Sequence, residues 1–506
     1  MPMDNSKNRK IGAILSYVSI IATTLIQLLY TPLLIRKLGQ SEYGLYSLIN
    51  SVIGYLTILD LGFGNAIVVY TAKYRALKKY EEEKKLHGMF FIIFCIIGVI
   101  AGIVGLILYF NVDNLFGSTM TDTELHKAKI MMLILTFNLV ISFIFNIYSS
   151  ILNAYERFIY QKAISILNTI LKPIIMIPLL FMGFRSITMV IVITILNIMV
   201  LLSNYFYCRN KLHIKIKYRG FDKIVFKTIF GYSFWLFLTS IVDKVNWSVD
   251  QFVLGVVSGT TAVSIYSVAT NFNTLFINLS TAISGVLLPK MTKMISNNST
   301  KKELTNEFIK VGRIQFIVIF LVTSGFILVG KEFIIWWAGK EFESSYYVTL
   351  CLVVPALFSL IQNLGLSIMQ AMNKFRFKAL STFFMSGFNI LISIFLARRY
   401  GAIGAAFGTT IALVVCNIIA MNIYYYKIIK INVIEFWKNI FTMFVKYIIA
   451  IVLIIILINV TNISGLKSVI IYGGIYTILY IIISYLFVMN NYEKNIVISI
   501  LKKIRK

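Results

Sequence analysis

Residues 88–110 read GMFFIIFCIIGVIAGIVGLILYF, a run of 23 residues without a charged side chain. Roughly 20 apolar residues cross the hydrocarbon core of a bilayer as a helix, so this run predicts a transmembrane helix. Similar runs recur along the whole chain, separated by charged or turn residues. The predicted spans are 12–34, 45–69, 88–110, 128–151, 163–182, 187–208, 229–257, 262–288, 314–336, 346–370, 380–397, 403–425, 444–461 and 468–489. We therefore predict an all-α polytopic membrane protein with about 14 transmembrane helices.

The composition of the chain agrees with a membrane protein. Hydrophobic residues make up 58% and charged residues 13% of the 506 residues, which is more apolar surface than a soluble fold buries. The formal net charge of +28 is nonetheless large, and a basic excess often indicates nucleic-acid binding. Here most Lys and Arg residues lie between the apolar runs, which favours cytoplasmic loops and anionic lipid headgroups as their explanation. We expect membrane lipids as partners and no nucleic acid.

The positions of Lys and Arg also predict the orientation of the chain. Short loops rich in positive charge stay on the cytoplasmic side, and basic residues concentrate in 73–85 and 209–227. The short basic segment 1–10 runs directly into a first span that is too long for a signal-peptide core. Both termini of this multi-pass protein are therefore expected in the cytoplasm.

Motifs for catalysis and for cofactor binding are missing from the sequence. The three histidines are isolated and the four cysteines show no close pairing, so no metal-ligand cluster and no disulfide framework is indicated. Neither a GxxxxGK loop nor a nucleophile elbow occurs. We expect a protein that is not an enzyme and that needs no cofactor or metal ion.

An internal repeat with an offset close to 220 residues divides the chain. Gly39 in the link before span two corresponds to Gly259 in the link before span eight, and further matches occur at offsets of 217 and 218. Duplicated bundles are a transporter architecture, although motifs this short also match by chance. The repeat predicts an N-terminal six-helix lobe over 1–222 and a C-terminal six-helix lobe over 223–430. Two additional transmembrane helices and a basic cytoplasmic tail then occupy 431–506.

Four spans carry polar residues at helical spacing, which indicates that one face of each helix lies against protein or water. They are spans one and two and, at the repeat offset, spans seven and eight. Matching helices of the two lobes would surround one central cavity, although polar stripes also serve helix packing. The candidate cavity residues in these spans are Gln27, Asn50, Asp60, Asp243, Asn246, Asp250, Asn271 and Asn278.

Two lysines lie near the middle of their spans, where insertion of a charge costs roughly 2.5 to 3.5 kcal/mol. Lys244 stands beside the polar face of span seven, and we predict that it attracts an anionic headgroup. An ion pair with Asp243 or Asp250 is the structural alternative. Lys172 ranks second, because its span shows a weaker polar stripe and because Pro173 leaves backbone carbonyls for it to bond.

Two stretches near the first two spans resemble a known family. Residues 38–46, LGQSEYGLY, and residues 60–66, DLGFGNA, resemble the first-repeat signature of bacterial polysaccharide transporters. These transporters belong to the multidrug/oligosaccharidyl-lipid/polysaccharide flippase superfamily. Residues 246–255 are similar to the family pattern in the seventh helix, and residues 336–342, WWAGKEF, are similar to the outer loop after the ninth. The resemblance covers nearly the full length of the chain.

The resemblance implies two six-helix lobes that open alternately to either side of a bacterial plasma (inner) membrane. It also implies flipping of an undecaprenyl-pyrophosphate-linked oligosaccharide repeat unit for capsule, exopolysaccharide or O-antigen synthesis. The implied partners are the lipid-linked oligosaccharide, a polysaccharide polymerase and glycosyltransferases. The chain departs from the family at Val69, where many relatives place an arginine late in the second helix.

Two other functions suit the same fold. An ion-coupled multidrug exporter of the same superfamily is the first alternative, because acidic residues such as Asp60 also suit cationic drugs. A scaffold that transports nothing, or a lipid scramblase, is the second.

Overall fold

The computed structural model describes residues 5–218, 249–284, 287–372, 374, 376–461 and 463–504. These residues form helices and short connections, and no β-strand occurs among them. The predicted all-α fold is therefore confirmed. The chain clusters into two compact units, Met1–Ser264 and Ile265–Lys506. The predicted division into lobes over 1–222 and 223–430, followed by 431–506, stays a prediction.

The first unit consists of long helices joined by short loops. Its sixth helix begins with a capping box, in which the Thr121 side chain accepts from the Glu124 amide while the Glu124 carboxylate accepts from the Thr121 amide. Residues 249–257 of this unit are also helical. Its helices are α1 (Asn5–Leu38), α2 (Gln40–Leu56), α3 (Phe63–Ala76), α4 (Tyr80–Phe110), α5 (Val112–Phe116), α6 (Asp122–Ala154), α7 (Phe158–Phe181) and α8 (Ser186–Asn210).

The second unit is built in the same way, apart from its first helix, which begins in the first unit. Its helices are α9 (Gly259–Ser284), α10 (Leu288–Ser296), α11 (Lys301–Ala338), α12 (Ser344–Leu360), α13 (Asn363–Ala371), α14 (Arg376–Ala412), α15 (Val433–Thr461), α16 (Gly465–Ile483) and α17 (Asn491–Ile504). After α14 the chain stays helical to Ile429, with π-helical turns over Leu413–Ala420 and Tyr425–Ile429.

Eleven helical segments among the described residues are long and apolar enough to cross a membrane. One of them, Arg376–Ile429, contains two predicted spans, because the non-helical backbone of Gly401 divides it. α9 covers the predicted eighth span but is too polar to be counted with the eleven. The predicted seventh span, 229–257, lies mostly outside the described residues. The multi-pass architecture therefore agrees with about 14 predicted spans.

The internal repeat is visible in the backbone. Residues with positive φ recur at offsets of 217 to 220 between the two halves of the chain, each at the end of a helix or in a connection. The pairs, with their φ angles in degrees, are Gly39 (81) and Gly259 (80), Lys78 (56) and Asn298 (54), Gly183 (91) and Gly401 (56), and His213 (50) and Lys430 (64). Because left-handed backbone marks where the chain turns, the two halves share one pattern of connections.

The second predicted span is not one continuous helix. α2 ends at Leu56, a 3₁₀ turn covers Thr57–Asp60, and the left-handed residues Leu61 (φ 53°) and Gly62 (φ 71°) precede α3. The break falls within the DLGFGNA stretch. Broken helices expose backbone polar groups inside a membrane, where they are tolerated only against protein or a wet cavity.

The LGQSEYGLY stretch contacts the start of α8 through Glu42. Glu42 is buried, and its Oε1 accepts hydrogen bonds from the backbone amide of Ser186 at 3.1 Å and from its hydroxyl at 2.6 Å. Oε2 accepts from Lys127 at 3.0 Å and from Arg185 at 3.4 Å. Glu42 therefore satisfies an amide in the free first turn of α8 and compensates two cations. This residue of the LGQSEYGLY stretch therefore has a structural role.

The two C-terminal spans pack on α11 through tyrosines of α16. Tyr472, Tyr476 and Tyr480 recur every fourth residue and are buried. The Tyr480 hydroxyl donates to the carbonyl of Ile317 on α11 at 2.9 Å, and its ring stacks on Tyr447 of α15 at 4.0 Å. α15 and α16 are therefore an integral part of the second unit.

A buried ion pair fixes the C-terminal helix α17. Arg313 on α11 donates to both carboxylate oxygens of Glu493, at 2.6 and 2.9 Å, and also to the carbonyl of Val488 at 2.9 Å. The same carboxylate accepts a hydrogen bond from the backbone N–H of Asn490 at 2.9 Å and so caps the start of α17. A bidentate arginine with a third bond holds the start of α17 in one orientation.

Candidate substrate-binding site

A polar stripe follows one side of α7 from its N-cap residue to its centre. Its members lie four, eight, eleven and fifteen residues after the first, a spacing that keeps them within about 80° of one another around a helix with 3.6 residues per turn. The stripe consists of Arg157, Gln161, Ser165, Asn168 and Lys172. We call it the α7 stripe.

Lys172 is the midspan cation of the α7 stripe. Its side chain is half-buried, and its Nζ makes no hydrogen bond and no ion pair with the residues that the structure describes. The alternative raised by Pro173, a bond to a backbone carbonyl freed by the proline, is therefore not found. One turn earlier, the Oδ1 atom of Asn168 is buried without a hydrogen-bond partner. Buried polar groups are normally satisfied, so these two side chains leave bonding capacity for a ligand.

α1 packs along α7 and contributes to the same surface. The C-terminal ends of the two helices meet, because the Lys37 ammonium lies 4.0 Å from the centre of the Phe181 ring. Counting back nine residues from each contact places Lys172 level with Leu28, next to Gln27, since both helices rise about 1.5 Å per residue. The structure therefore brings the predicted candidates Gln27 and Lys172 to one level of the first unit.

A second polar network in the first unit surrounds the broken helix. The Asn146 amide on α6 donates to Oδ1 of Asp60 at 3.0 Å. One and two turns away on α6, Ser142 and Asn138 accept from the Asn197 amide of α8 at 2.8 and 2.7 Å. Asp60 thus takes part in a side-chain network at the break between α2 and α3.

The other described candidates differ in burial and in hydrogen bonding. Asn50 donates to the backbone carbonyl of Tyr46 at 2.7 Å, within its own helix. On α9, Asn271 is half-buried and Asn278 is exposed, whereas Asp250 is buried. These positions remain candidates for cavity residues.

Three candidates of the predicted seventh span lie outside the described residues. They are Asp243, Lys244 and Asn246. The roles predicted for them, including the ion pair of Lys244 with an aspartate, therefore stay predictions.

The sequence contained a signal for the residues that were missed. Asn138, Ser142, Asn146 and Ser150 recur every fourth residue along α6, and the α7 stripe has the same kind of spacing. The polar stripe of span five was ranked below those of spans one, two, seven and eight. Amides and hydroxyls dominate it, whereas the other four spans carry acidic groups or longer runs of polar residues. Helical spacing alone was sufficient to find both sets.

The second unit contains an apolar groove. Phe272 and Phe276 of α9, Phe326 and Phe333 of α11, and Val469 of α16 line a cavity of about 230 Å³. No polar ligand would be satisfied there. Among the described residues, no group of three or more His, Cys, Asp or Glu side chains is placed to hold a metal ion.

A duplicated, all-helical, multi-pass fold with polar stripes along its helices is an architecture of membrane transporters. The sequence profile of the polysaccharide biosynthesis protein family matches residues 10–295. The chain belongs to this family, and the family predicted from residues 38–46 and 60–66 is confirmed.

Individual relatives agree with this assignment. The "Putative O-antigen transporter" of Shigella flexneri is 23% identical over 416 residues, which cover 79% of this chain and 94% of that protein. The solved structure of the lipid II flippase MurJ in an inward closed conformation superposes with a TM-score of 0.72 at 18% identity, covering 94% of this chain and 98% of MurJ. An inward-facing multidrug resistance transporter of the MATE family in the MOP superfamily gives 0.61 at 16% identity, with 81% and 98% covered. The chain therefore shares the fold of these two solved structures.

Proposed function

We propose that this protein flips a lipid-linked oligosaccharide repeat unit, carried on undecaprenyl pyrophosphate, across the bacterial plasma membrane by alternating access. The product would serve synthesis of capsule, exopolysaccharide or O-antigen. The observation that carries the proposal is Lys172, a half-buried midspan cation without an anion among the described residues. A cation of this kind favours anionic cargo, whereas an exporter of cationic drugs needs the opposite charge.

The physical chemistry of the cargo suits this arrangement. A sugar headgroup with two phosphates does not cross hydrocarbon unaided, because each unmet polar group costs several kcal/mol. The amide and hydroxyl groups of the α7 stripe replace water for such a headgroup. The apolar groove lined by Phe272 and Phe326 supports a lipid-linked cargo, because an isoprenoid chain is apolar along its whole length.

The membrane potential supports outward movement of the cargo. An inside-negative potential favours export of negative charge by about 2.3 kcal/mol per charge per 100 mV. The proposed topology places both termini in the cytoplasm, where glycosyltransferases would build the repeat unit, and a polysaccharide polymerase would receive it on the other side.

We propose two headgroup-binding lysines. Lys172 is the one that the structure describes, and Lys244 is retained from the polar face of the predicted seventh span. The remaining candidates, Gln27, Asn50, Asp60, Asp243, Asn246, Asp250, Asn271 and Asn278, are proposed to line the path of the sugar.

The experiment is complementation in the native bacterium after deletion of the gene, with surface polysaccharide and membrane abundance both measured. Lys172→Gln and Lys244→Gln or Lys244→Ala are expected to lose most polysaccharide, while Lys172→Arg and Lys244→Arg retain it, because charge recognition needs a cation. Lys378→Gln is the matched control, since Lys378 bonds to Asn417 within the second unit.

Two results would contradict the proposal. If glutamine at both positions works as well as lysine, these charges do not recognise the headgroup. If deletion leaves polysaccharide intact and raises sensitivity to cationic drugs, the protein is a multidrug exporter.

A further inference from the structure

We propose, building on the function proposed above, that Arg157 is a second phosphate-binding position at the cytoplasmic end of the α7 stripe. The diphosphate headgroup would bind there first and then move along the stripe to Lys172. The ligand chemistry is a phosphate or diphosphate ester at the membrane surface.

The surroundings of Arg157 leave its guanidinium available. The side chain is half-buried, its Nε is buried without a hydrogen-bond partner, and it forms no ion pair with the residues described. Two residues earlier, the Tyr155 hydroxyl donates to Glu83 at 2.7 Å, and the guanidinium of Arg75 lies 3.5 Å from the centre of the Tyr155 ring. Glu83 is therefore already engaged by Tyr155, while Arg157 is left with unmet donors.

The distance along the helix places Arg157 at headgroup depth. Fifteen residues separate Arg157 from Lys172, which corresponds to about 22 Å along a helix. Half of a hydrocarbon core of roughly 30 Å is about 15 Å, so a residue this far from a midspan lysine lies in the polar headgroup region. The predicted topology puts this end of α7 on the cytoplasmic side. A planar guanidinium binds phosphate oxygens in bidentate fashion, which suits it for capture at this surface.

The repeat supplies an internal comparison. At an offset of 217, Arg157 corresponds to Lys374, Gln161 to Lys378 and Lys172 to Asn389. In this second copy the Lys374 ammonium donates to the carbonyl of Ile428 at 3.4 Å, and Lys378 bonds to Asn417.

Asn389, at the position of Lys172, is buried at 2% exposure and carries no charge. The cations of the second copy are therefore satisfied within their own unit, and those of the first copy are not. Because of this difference, the inferred phosphate-binding residues lie in the fifth span, in the first copy of the repeat, and not at the matching positions of the second copy.

The test separates the Arg157 position from the midspan lysines. Full-length protein carrying Lys172→Gln and Lys244→Gln serves as the background, so that Arg157 is the proposed phosphate contact that remains. Binding of undecaprenyl pyrophosphate is measured by native mass spectrometry from detergent, with phosphatidylglycerol and inorganic pyrophosphate as parallel probes.

In this background, Arg157→Gln is expected to weaken binding of undecaprenyl pyrophosphate about tenfold or more, as loss of charge-assisted hydrogen bonds predicts. Arg157→Lys retains most of the binding, and the matched control Lys374→Gln binds like the background. Inorganic pyrophosphate is expected to compete at the same position, more weakly than the lipid. Elution as a single species establishes that each variant is folded.

Other outcomes overturn the inference. The first is that the background protein no longer binds undecaprenyl pyrophosphate. The second is that Arg157→Gln and Lys374→Gln weaken binding equally. The third is that Arg157→Gln weakens binding of phosphatidylglycerol as much as binding of undecaprenyl pyrophosphate, which would mark a general phospholipid contact. Failure of the wild-type protein to bind undecaprenyl pyrophosphate at all would instead refute the proposed function. Binding by the wild type that is indifferent to Arg157 refutes only the inference.

Discussion

Replacing Glu42 tests whether this residue of the LGQSEYGLY stretch stabilises the first unit. The Glu42 side chain is 9% exposed, and its carboxylate accepts four hydrogen bonds, two of them from Ser186, which is fully buried. Hydrogen bonds to charged groups contribute about 1.5–3 kcal/mol each, and removing one partner of a buried pair costs about 3–5 kcal/mol.

The exposed cations reduce the expected effect. The Lys127 and Arg185 side chains are 36% and 58% exposed, so water and salt screen both pairs and they add little. Most of the effect therefore comes from Ser186. Glu42→Ala leaves its amide and hydroxyl without a partner and is expected to destabilise the protein by about 3–5 kcal/mol. Glu42→Gln retains one acceptor oxygen, so we expect about 2–3 kcal/mol.

The measurement is unfolding in mixed micelles with increasing dodecyl sulfate, followed by circular dichroism. Glu81→Gln is the matched control, since Glu81 pairs with Lys84 at 2.7 Å on an exposed helix face and its loss is expected to leave stability unchanged. Equal stability of Glu42→Ala and Glu81→Gln would show that Glu42 does not support α8.

Two further predictions concern the second unit and the topology. Glu493→Gln is expected to weaken the packing of α17 against α11 by a free energy of about 3–5 kcal/mol, because Arg313 then keeps an uncompensated buried charge. Limited proteolysis would cut the chain after α16 in the variant and spare the wild type, and equal cleavage would contradict a clamping role. In a cysteine-free protein, Ser464→Cys is expected to react with an impermeant thiol reagent in intact cells and Glu82→Cys is not; the reverse pattern would refute the proposed orientation.

The sequence was sufficient to predict the helices and their duplication. Runs such as 88–110 are long enough that only a transmembrane helix satisfies their backbone, and Gly39 and Gly259 mark turns that side chains disfavour. The break at Leu61 was not predicted from the apolar run 45–69, although Asp60, Gly62 and Gly64 lie beside it and are poor helix formers. Propensity describes a residue by its type, whereas this break depends on how Asp60 meets Asn146 of another helix.

The candidate site was predicted less completely than the fold. Lys172 was selected from its position near the middle of its predicted span, but its lack of a partner among the described residues is a property of packing that spacing does not reveal. Asn146 and Asn197 were missed, since an amide in an apolar run is as compatible with helix packing as with a wet surface. Glu42 lies near the end of a span and looked like an ordinary loop residue until α8 was placed beside it.

The tyrosines of α16 have a consequence for biogenesis. The ribosome synthesises α11 more than a hundred residues before α16. When α11 enters the membrane, the Tyr480 hydroxyl that bonds to the Ile317 carbonyl has therefore not yet been synthesised. Tyr476 likewise has its hydrogen-bond partner, Ser324, on α11. The second unit is therefore completed only after α16 has been synthesised. A chain that stalls or is cleaved before residue 465 lacks these hydroxyls and presents quality-control proteases with an unfinished bundle.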